Sequence, residues 1–316
     1  MCVRRSERLH RISRGRTTAR TSKGHSNIRE ARKGLDELAK GQAGRPPIHP
    51  QYLAKLVNEH ATDDAIFTAD TGTLTIWAAH YLRMNGRRRL IGSWVHGSMA
   101  NAMAQAIGAQ GAYPGRQVVS LSGDGGFAML MGDFLTLTQL GLPVKVIVFN
   151  NGSLGFVELE MRTAGFLETG VELKNPDFAA MARAAGVSAR RVEDPGDLPE
   201  AVADILAHPG PALLDAVVNR QELAIPPAVT GEQMKGSSLY VLKAVMTGRG
   251  DAIVDLAKTN LFADGGRARF IHEAATQHRT SRRFHPGVSL RFQDAAHTIR
   301  LDRRFATDAK SGTSPA

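Results

Sequence analysis

"GDGGFAMLMGDFLTLTQLGLPVKVIVFNN" (residues 123–151) sets one carboxylate among glycines at its start and two asparagines at its end. Between them lie a helical spacing of apolar residues over 127–140, a stop at Gly141 and Pro143, and the apolar run 144–149. A second apolar run, "QVVSLS" (117–122), comes immediately before. Two short β-rich runs joined by one helix form a βαβ step, which makes the strands parallel and buries both faces of the sheet.

The same alternation extends outward from this stretch. Strands are expected at 65–69, 88–92, 117–122, 144–149, 188–192 and 212–218. Helices are expected at 50–60, 73–83, 98–110, 127–140, 177–186 and 196–207. The order predicts an α/β fold with a mainly parallel, doubly wound sheet, flanked by irregular basic extensions at both ends.

Charge divides along the chain in a way that bears on function. The formal charge is +10. Residues 1–40 carry 12 Lys/Arg against 4 Asp/Glu and residues 263–316 carry 10 against 5, which leaves the apolar body mildly acidic. Basicity confined to the ends argues against a nucleic-acid-binding face on the folded part. A lone Cys2 implies no disulfide framework. The first 27 residues lack the apolar core of a secretory signal, and their Arg and Ser richness loosely resembles an organellar transit peptide. No run approaches the roughly 20 apolar residues of a spanning helix.

Ligands of open parallel sheets bind at the carboxyl ends of the strands, where Gly123–Gly126 and Asn150–Gly155 both fall. A strand followed by GDGG and a helix presents bare N–H groups that suit a phosphate. An aspartate there would repel the anion unless a cation lay between them, and Mg²⁺ fits such an oxygen-rich site shared with phosphate. Taken alone, GDG is an ordinary turn and Asn-Asn-Gly an ordinary loop. Their joint placement after two strands favours the metal and diphosphate reading, provided strands 117–122 and 144–149 are neighbours.

GDG, the spacer 126–149 and the Asn150–Asn151 pair resemble the cofactor fingerprint of thiamine-diphosphate enzymes. "REARKGLDELA" (29–39), "IHPQYLAKLV" (48–57), "DAIFTADTGT" (64–73), "HGSMANAMAQAIGAQ" (96–110), "ELAIPP" (222–227) and "GRGDAIVDLAKTN" (248–260) are similar to the pyruvate oxidase and pyruvate dehydrogenase (quinone) group. The resemblance implies Mg²⁺ ligands at Asp124, Asn151 and the Ser153 carbonyl. It implies a diphosphate held by Gly125, Gly126 and the loop Asn151, Gly152, Ser153, Leu154, Gly155, Phe156 and Val157, and an aminopyrimidine at Gly97, Ser98 and Met99. Phe156 corresponds to an aromatic that the family places between cofactor and flavin, or is an apolar anchor of the loop. His96 is an acid–base candidate or a packing residue. Asp70, Gly72 and Thr73 touch the diphosphate or cap the helix 73–83.

The resemblance covers only the cofactor-anchoring domain of that family. It implies oxidative decarboxylation of pyruvate by a complete enzyme that also uses FAD and quinone, whose activating glutamate and flavin site belong to other domains. The chain then reads as a basic extension (1–27), a remnant of a central domain (28–47), the thiamine-diphosphate and Mg²⁺ domain (48–230), a candidate membrane-docking element (231–262) and a second extension (263–316). Two alternatives stand beside it. One is a split-gene subunit of an acetolactate synthase-like enzyme; the other is a non-catalytic protein binding anionic surfaces or nucleic acid through its basic tails. Expected partners are a 2-oxo acid such as pyruvate, a homo-oligomer or a subunit with the missing domains, and membrane lipid and quinone. The expected location is cytoplasmic, with peripheral docking on the inner face of the plasma membrane.

Overall fold

Six strands form one sheet in the computed structural model, which describes residues 29–30, 32–40, 43–222, 231–247 and 250–260. The two basic extensions, and "ELAIPP" beyond Glu222, lie outside the described residues. In chain order the elements are α1 (Pro50–His60), β1 (Ile66–Ala69), α2 (Thr73–Tyr81), β2 (Arg89–Gly92), α3 (Asn101–Ala112), β3 (Val118–Gly123) and α4 (Asp124–Met129). They continue with α5 (Leu135–Gln139), β4 (Lys145–Asn150), α6 (Gly155–Thr163), α7 (Phe178–Ala184), β5 (Ser188–Val192), α8 (Leu198–Ala207), β6 (Ala212–Val217), α9 (Gly231–Met246) and α10 (Gly250–Asn260).

Every strand pair is parallel, in the order β2-β1-β3-β4-β6-β5. Right-handed crossovers turn that order into two helix layers. The steps β1 to β2 and β5 to β6 run one way along the sheet and carry α2 and α8, which share a face with α1. The steps to β3, β4 and β5 run the other way and carry α3, α4, α5 and α7. One core accordingly gathers Phe67, Leu121, Ile147, Phe149 and Leu214 with α1, α2 and α8, and takes in Ala39 from helical residues 32–40. The other gathers Ile66, Val118, Val146, Val148 and Leu213 with Met103, Phe127 and Phe178. Successive residues of β4 thus enter opposite cores, which is why 144–149 reads as continuously apolar.

Three local departures from the sequence expectation shape the site. The helix expected at 98–110 starts only at Asn101, because Ala100 adopts a left-handed conformation (φ 62°). The helix expected at 127–140 starts earlier, at Asp124, breaks at Leu130, and resumes through a 3₁₀ turn (Met131–Phe134) into α5. That break lets Phe127 meet Phe134 and Phe178 edge to face, at 5.8 and 5.2 Å between ring centroids. At the far end Gly141 (φ 60°) closes the helix and the Leu142 N–H reaches the Leu137 carbonyl at 2.9 Å, as the glycine stop predicts. Third, residues 155–163 form α6, where the sequence reading placed a loop at 151–157 and no element after it.

Helix α9 packs against α6, burying Tyr240 and Ala244 while Leu242, Val245 and Met246 face outward. Close approach is built in: a Cβ on Gly236 would sit 1.8 Å from the Thr163 carbonyl oxygen. Among the described residues no helix is long and apolar enough to cross a membrane.

Candidate functional site

The chain leaves β1 toward β2 on one side and returns to β3 on the other, so the strand order reverses between β1 and β3. At the carboxyl ends of β1, β3 and β4 lies a cleft of about 250 Å³. Strands β3 and β4 are neighbours, with Gly123 opposite Phe149, so the GDGG turn and the Asn150–Gly155 loop emerge side by side.

Asp124, the first residue of α4, is only 3% exposed. Its Oδ1 accepts the Gly125 N–H at 2.9 Å, and its Oδ2 accepts the Gly152 N–H at 2.7 Å and the Asn175 amide at 2.7 Å. All three donors are neutral, so the buried carboxylate has no cation among its hydrogen-bond partners. Burial raises its pKa, and those three bonds oppose the rise. Across the cleft the Asn151 side-chain oxygen accepts the Ser153 N–H at 3.1 Å, and the Ser153 carbonyl accepts the Gly155 N–H at 2.9 Å. Each of these oxygens keeps a lone pair beyond the bonds described.

Glycine shapes the floor. A Cβ on Gly125 would stand 3.0 Å from Leu154 Cδ2 and 3.2 Å from Leu173 Cδ1, and one on Gly126 would stand 2.4 Å from Asp70 Oδ2. Asp70 follows β1 and is 2% exposed. It does not cap α2, whose start has no side-chain cap; its Oδ1 instead accepts the Ala102 N–H at 2.8 Å and holds the first turn of α3. Its Oδ2 is buried without a hydrogen-bond partner. Burial pushes the Asp70 carboxyl up to about 6, against the pull of nearby backbone N–H groups at Ala102, Asn101 and Gly123.

Of the residues singled out in the sequence, Gly97, Met99, Asp124, Gly125, Gly126, Asn151, Ser153, Leu154, Gly155, Phe156 and Val157 line this one cleft, as do Asp70, Gly72 and Thr73. Ser98 and His96 are exposed and do not line it, because the turn closed by the Gly97 N–H on the Ser93 carbonyl carries them outward. Gly152 lies behind the wall, with φ 65°, turning its N–H onto Asp124. Phe156, in the first turn of α6, lines the cleft and is partly buried against the α1 and α2 core.

Two groups escaped the sequence reading. Segment 171–175 lies along the 152–154 loop and ends in Asn175. Also lining the cleft, Glu158 of α6 is 2% exposed and accepts from the Ser153 hydroxyl, from Arg162 and, at 3.1 Å, from Arg220. Arg162 also bonds Glu168 at 2.6 Å, and Glu168 accepts from Tyr240 of α9 at 2.6 Å. Among the described residues no group of three or more His, Cys, Asp or Glu could hold a metal. A cation here would rely on one carboxylate, neutral oxygens and its own ligand, a donor set that suits Mg²⁺ bound to phosphate.

Comparison with known proteins agrees with this geometry. Residues 70–216 match the family described as "Thiamine pyrophosphate enzyme, C-terminal TPP binding domain". The chain is similar to YdaP of Bacillus subtilis (strain 168), named as a thiamine pyrophosphate-containing protein, at 34% identity over 198 residues, covering 62% of this chain and 34% of YdaP. It is similar to the acetolactate synthase large subunit of Parasynechococcus marenigrum (strain WH8102), at 38% over 199 residues, 60% of this chain and 31% of that protein. The chloroplastic acetolactate synthase 2 of Brassica napus matches at 35% over 197 residues, again 60% of this chain and 31% of the relative. The chain thus spans about a third of the length of these curated relatives. Residues 70–216 are thus similar to the C-terminal thiamine-pyrophosphate-binding domain of thiamine pyrophosphate enzymes, and the doubly wound sheet and the cleft at its switch point agree with that match.

Proposed function

We propose that the chain anchors Mg²⁺ and the diphosphate of thiamine diphosphate at the carboxyl ends of β3 and β4, as one part of an acetolactate synthase-like enzyme acting on 2-oxo acids. The observation that carries this reading is Asp124, a buried carboxylate facing a glycine-floored cleft and met only by neutral donors. Asp124, the Asn151 side-chain oxygen and the Ser153 carbonyl are the proposed ligands. Gly125, Gly126 and the amides of 151–157 would hold the diphosphate, and Gly97 and Met99, which line the cleft, would receive the aminopyrimidine beside the exposed Ser98. The missing Cβ at Gly125 and Gly126 keeps that floor open.

When bound, thiamine diphosphate supplies the carbanion stabilisation by which 2-oxo acids lose CO₂. This chain's own share is to seat the anionic end and turn it toward the cleft. The named relatives move the reading from pyruvate:quinone oxidoreductase toward acetolactate synthase. FAD and quinone rest on the sequence resemblance alone. The peripheral-membrane reading keeps Leu242, Val245 and Met246 of α9 as its surface.

Calorimetric titration of the chain with thiamine diphosphate, with and without Mg²⁺, tests the core of this proposal. Uptake that requires Mg²⁺ and disappears in Asp124→Ala is the expected result. Absence of uptake, or equal uptake by both proteins, overturns it.

A further inference from the structure

The two loops that the sequence brings to the site are joined by a third segment, and its chemistry is that of a clamp. Leu154 donates its N–H to the Val171 carbonyl at 2.9 Å, and Leu173 donates to the Gly152 carbonyl at 2.9 Å. Ser153 and Glu172 form an antiparallel bridge between these bonds. The strap thus runs along the 152–154 loop, while the Leu173 side chain reaches the floor at Gly125. It ends at Asn175, whose single amide nitrogen donates to Asp124 Oδ2 at 2.7 Å and to Asn150 Oδ1 at 2.9 Å.

Asn150 is in turn held from behind. Its amide nitrogen donates to Asp215 Oδ1 at 2.9 Å, and Asp215, fully buried on β6, pairs with Arg191 of β5 at 2.7 Å. A continuous set of hydrogen bonds therefore connects Asp124 with a salt bridge two strands beyond β4. Both N–H bonds of the Asn175 amide are committed, one to each loop, so its plane fixes Asp124 relative to the end of β4.

We infer that Asn175 is a positioning residue that aims the Asp124 carboxylate at the metal. This rests on the function proposed above. Asn175 does not itself offer an oxygen to Asp124; it donates, and so acts through the carboxylate. Residues that hold a metal ligand from behind typically change metal affinity by about 10- to 100-fold when lost. The effect belongs to the ion and not to the diphosphate pocket at large.

The experiment titrates Asn175→Ala and the unaltered chain with Mg²⁺ at fixed thiamine diphosphate, then with thiamine diphosphate at saturating Mg²⁺. The expected variant needs about 10- to 100-fold more Mg²⁺ for half-maximal uptake. At saturating Mg²⁺ its affinity for the cofactor returns to that of the unaltered chain. An unchanged Mg²⁺ requirement overturns the role of Asn175 and leaves the proposed function standing. Weakened cofactor affinity that Mg²⁺ cannot restore also overturns it, since that is general damage to the cleft. No uptake by the unaltered chain overturns the proposed function and this role with it. If Asn175→Ala fails to fold, Asn175→Ser, which keeps a small polar side chain but cannot span both loops, is read by the same criteria.

Discussion

The two ends of the same sheet handle buried charge in opposite ways. At the amino end, Lys145 begins β4 and donates to the carbonyls of His208 and Gly210, Arg116 donates to the Asp64 carbonyl at 2.7 Å, and Arg88 donates to the Ala61 carbonyl at 2.5 Å. Cations there close loops by consuming backbone acceptors, and nothing further is asked of them. At the carboxyl end Asp70 and Asp124 are buried with no cation among their hydrogen-bond partners and face glycines, amides and an open cleft, which the buried Glu158–Arg162 pair also lines. One end uses charge to finish the fold, whereas the other keeps a carboxylate uncompensated by cation, at a cost in stability that a ligand can offset.

Asp124→Ala should break that contrast most severely. Removing the carboxylate is expected to abolish Mg²⁺-dependent thiamine diphosphate uptake, a loss beyond the about 10- to 100-fold typical of residues behind a ligand. The far-UV circular dichroism spectrum should stay unchanged, because the Gly125 donor borders the cleft and can be met there by water. A variant that unfolds instead would make Asp124 a structural residue like those at the amino end.

Asp70 permits a sharper test through pH. Its folded pKa of about 6 lies above the ordinary carboxyl value of 3.8, so between these values the folded state holds more protons than the unfolded state. Stability from this group is therefore fully present near pH 4 and declines as pH rises toward and through 6, by about 3 kcal/mol in all. Asp70→Asn carries no titrating proton and should flatten that slope, measured as chemical denaturation midpoints from pH 4 to 7. An undiminished slope in the variant would assign it to another group. The Gly126 contact gives a third test: Gly126→Ala should cost about 1–3 kcal/mol, since the new methyl meets Asp70 Oδ2. The loss should shrink in an Asp70→Ala background, which removes the obstructing atom.

The same contrast explains what was legible in the sequence. All six strands were expected within a residue or two of their observed bounds, because burial on both faces makes each interior strand a continuous apolar run. Asp124 and Asn151 were legible since a turn that follows a strand carries its own local signature. Helix α6 was not, because the side chains it buries are Glu158 and Arg162, an i,i+4 ion pair where an amphipathic pattern would place apolar residues. Asn175 was not legible either. It lies 51 residues from Asp124 in a segment with no period, and only the tertiary path of 171–175 brings them together. The early start of α4 and the break after it also come from packing, as Phe127 turns toward both Phe134 and Phe178. Binary pattern reports burial of apolar surface; it is silent where the buried contacts are polar and long-range.

The smallest predicted effect probes the amino end. Burial lowers the Lys145 pKa from 10.5 to about 8, so between those values the folded state holds fewer protons than the unfolded state and stability rises with pH across that window. Lys145→Met should remove this rise. At pH 7 it loses two bonds to carbonyls but no longer buries a charge, so the net change should be about 1 kcal/mol or less. Mg²⁺ and thiamine diphosphate uptake should be unaltered, because Lys145 lies the full length of β4 from Asn150. A Lys145→Met protein of normal stability that had lost cofactor uptake would show that the two ends are coupled through the strand, and the division of labour between them would fail.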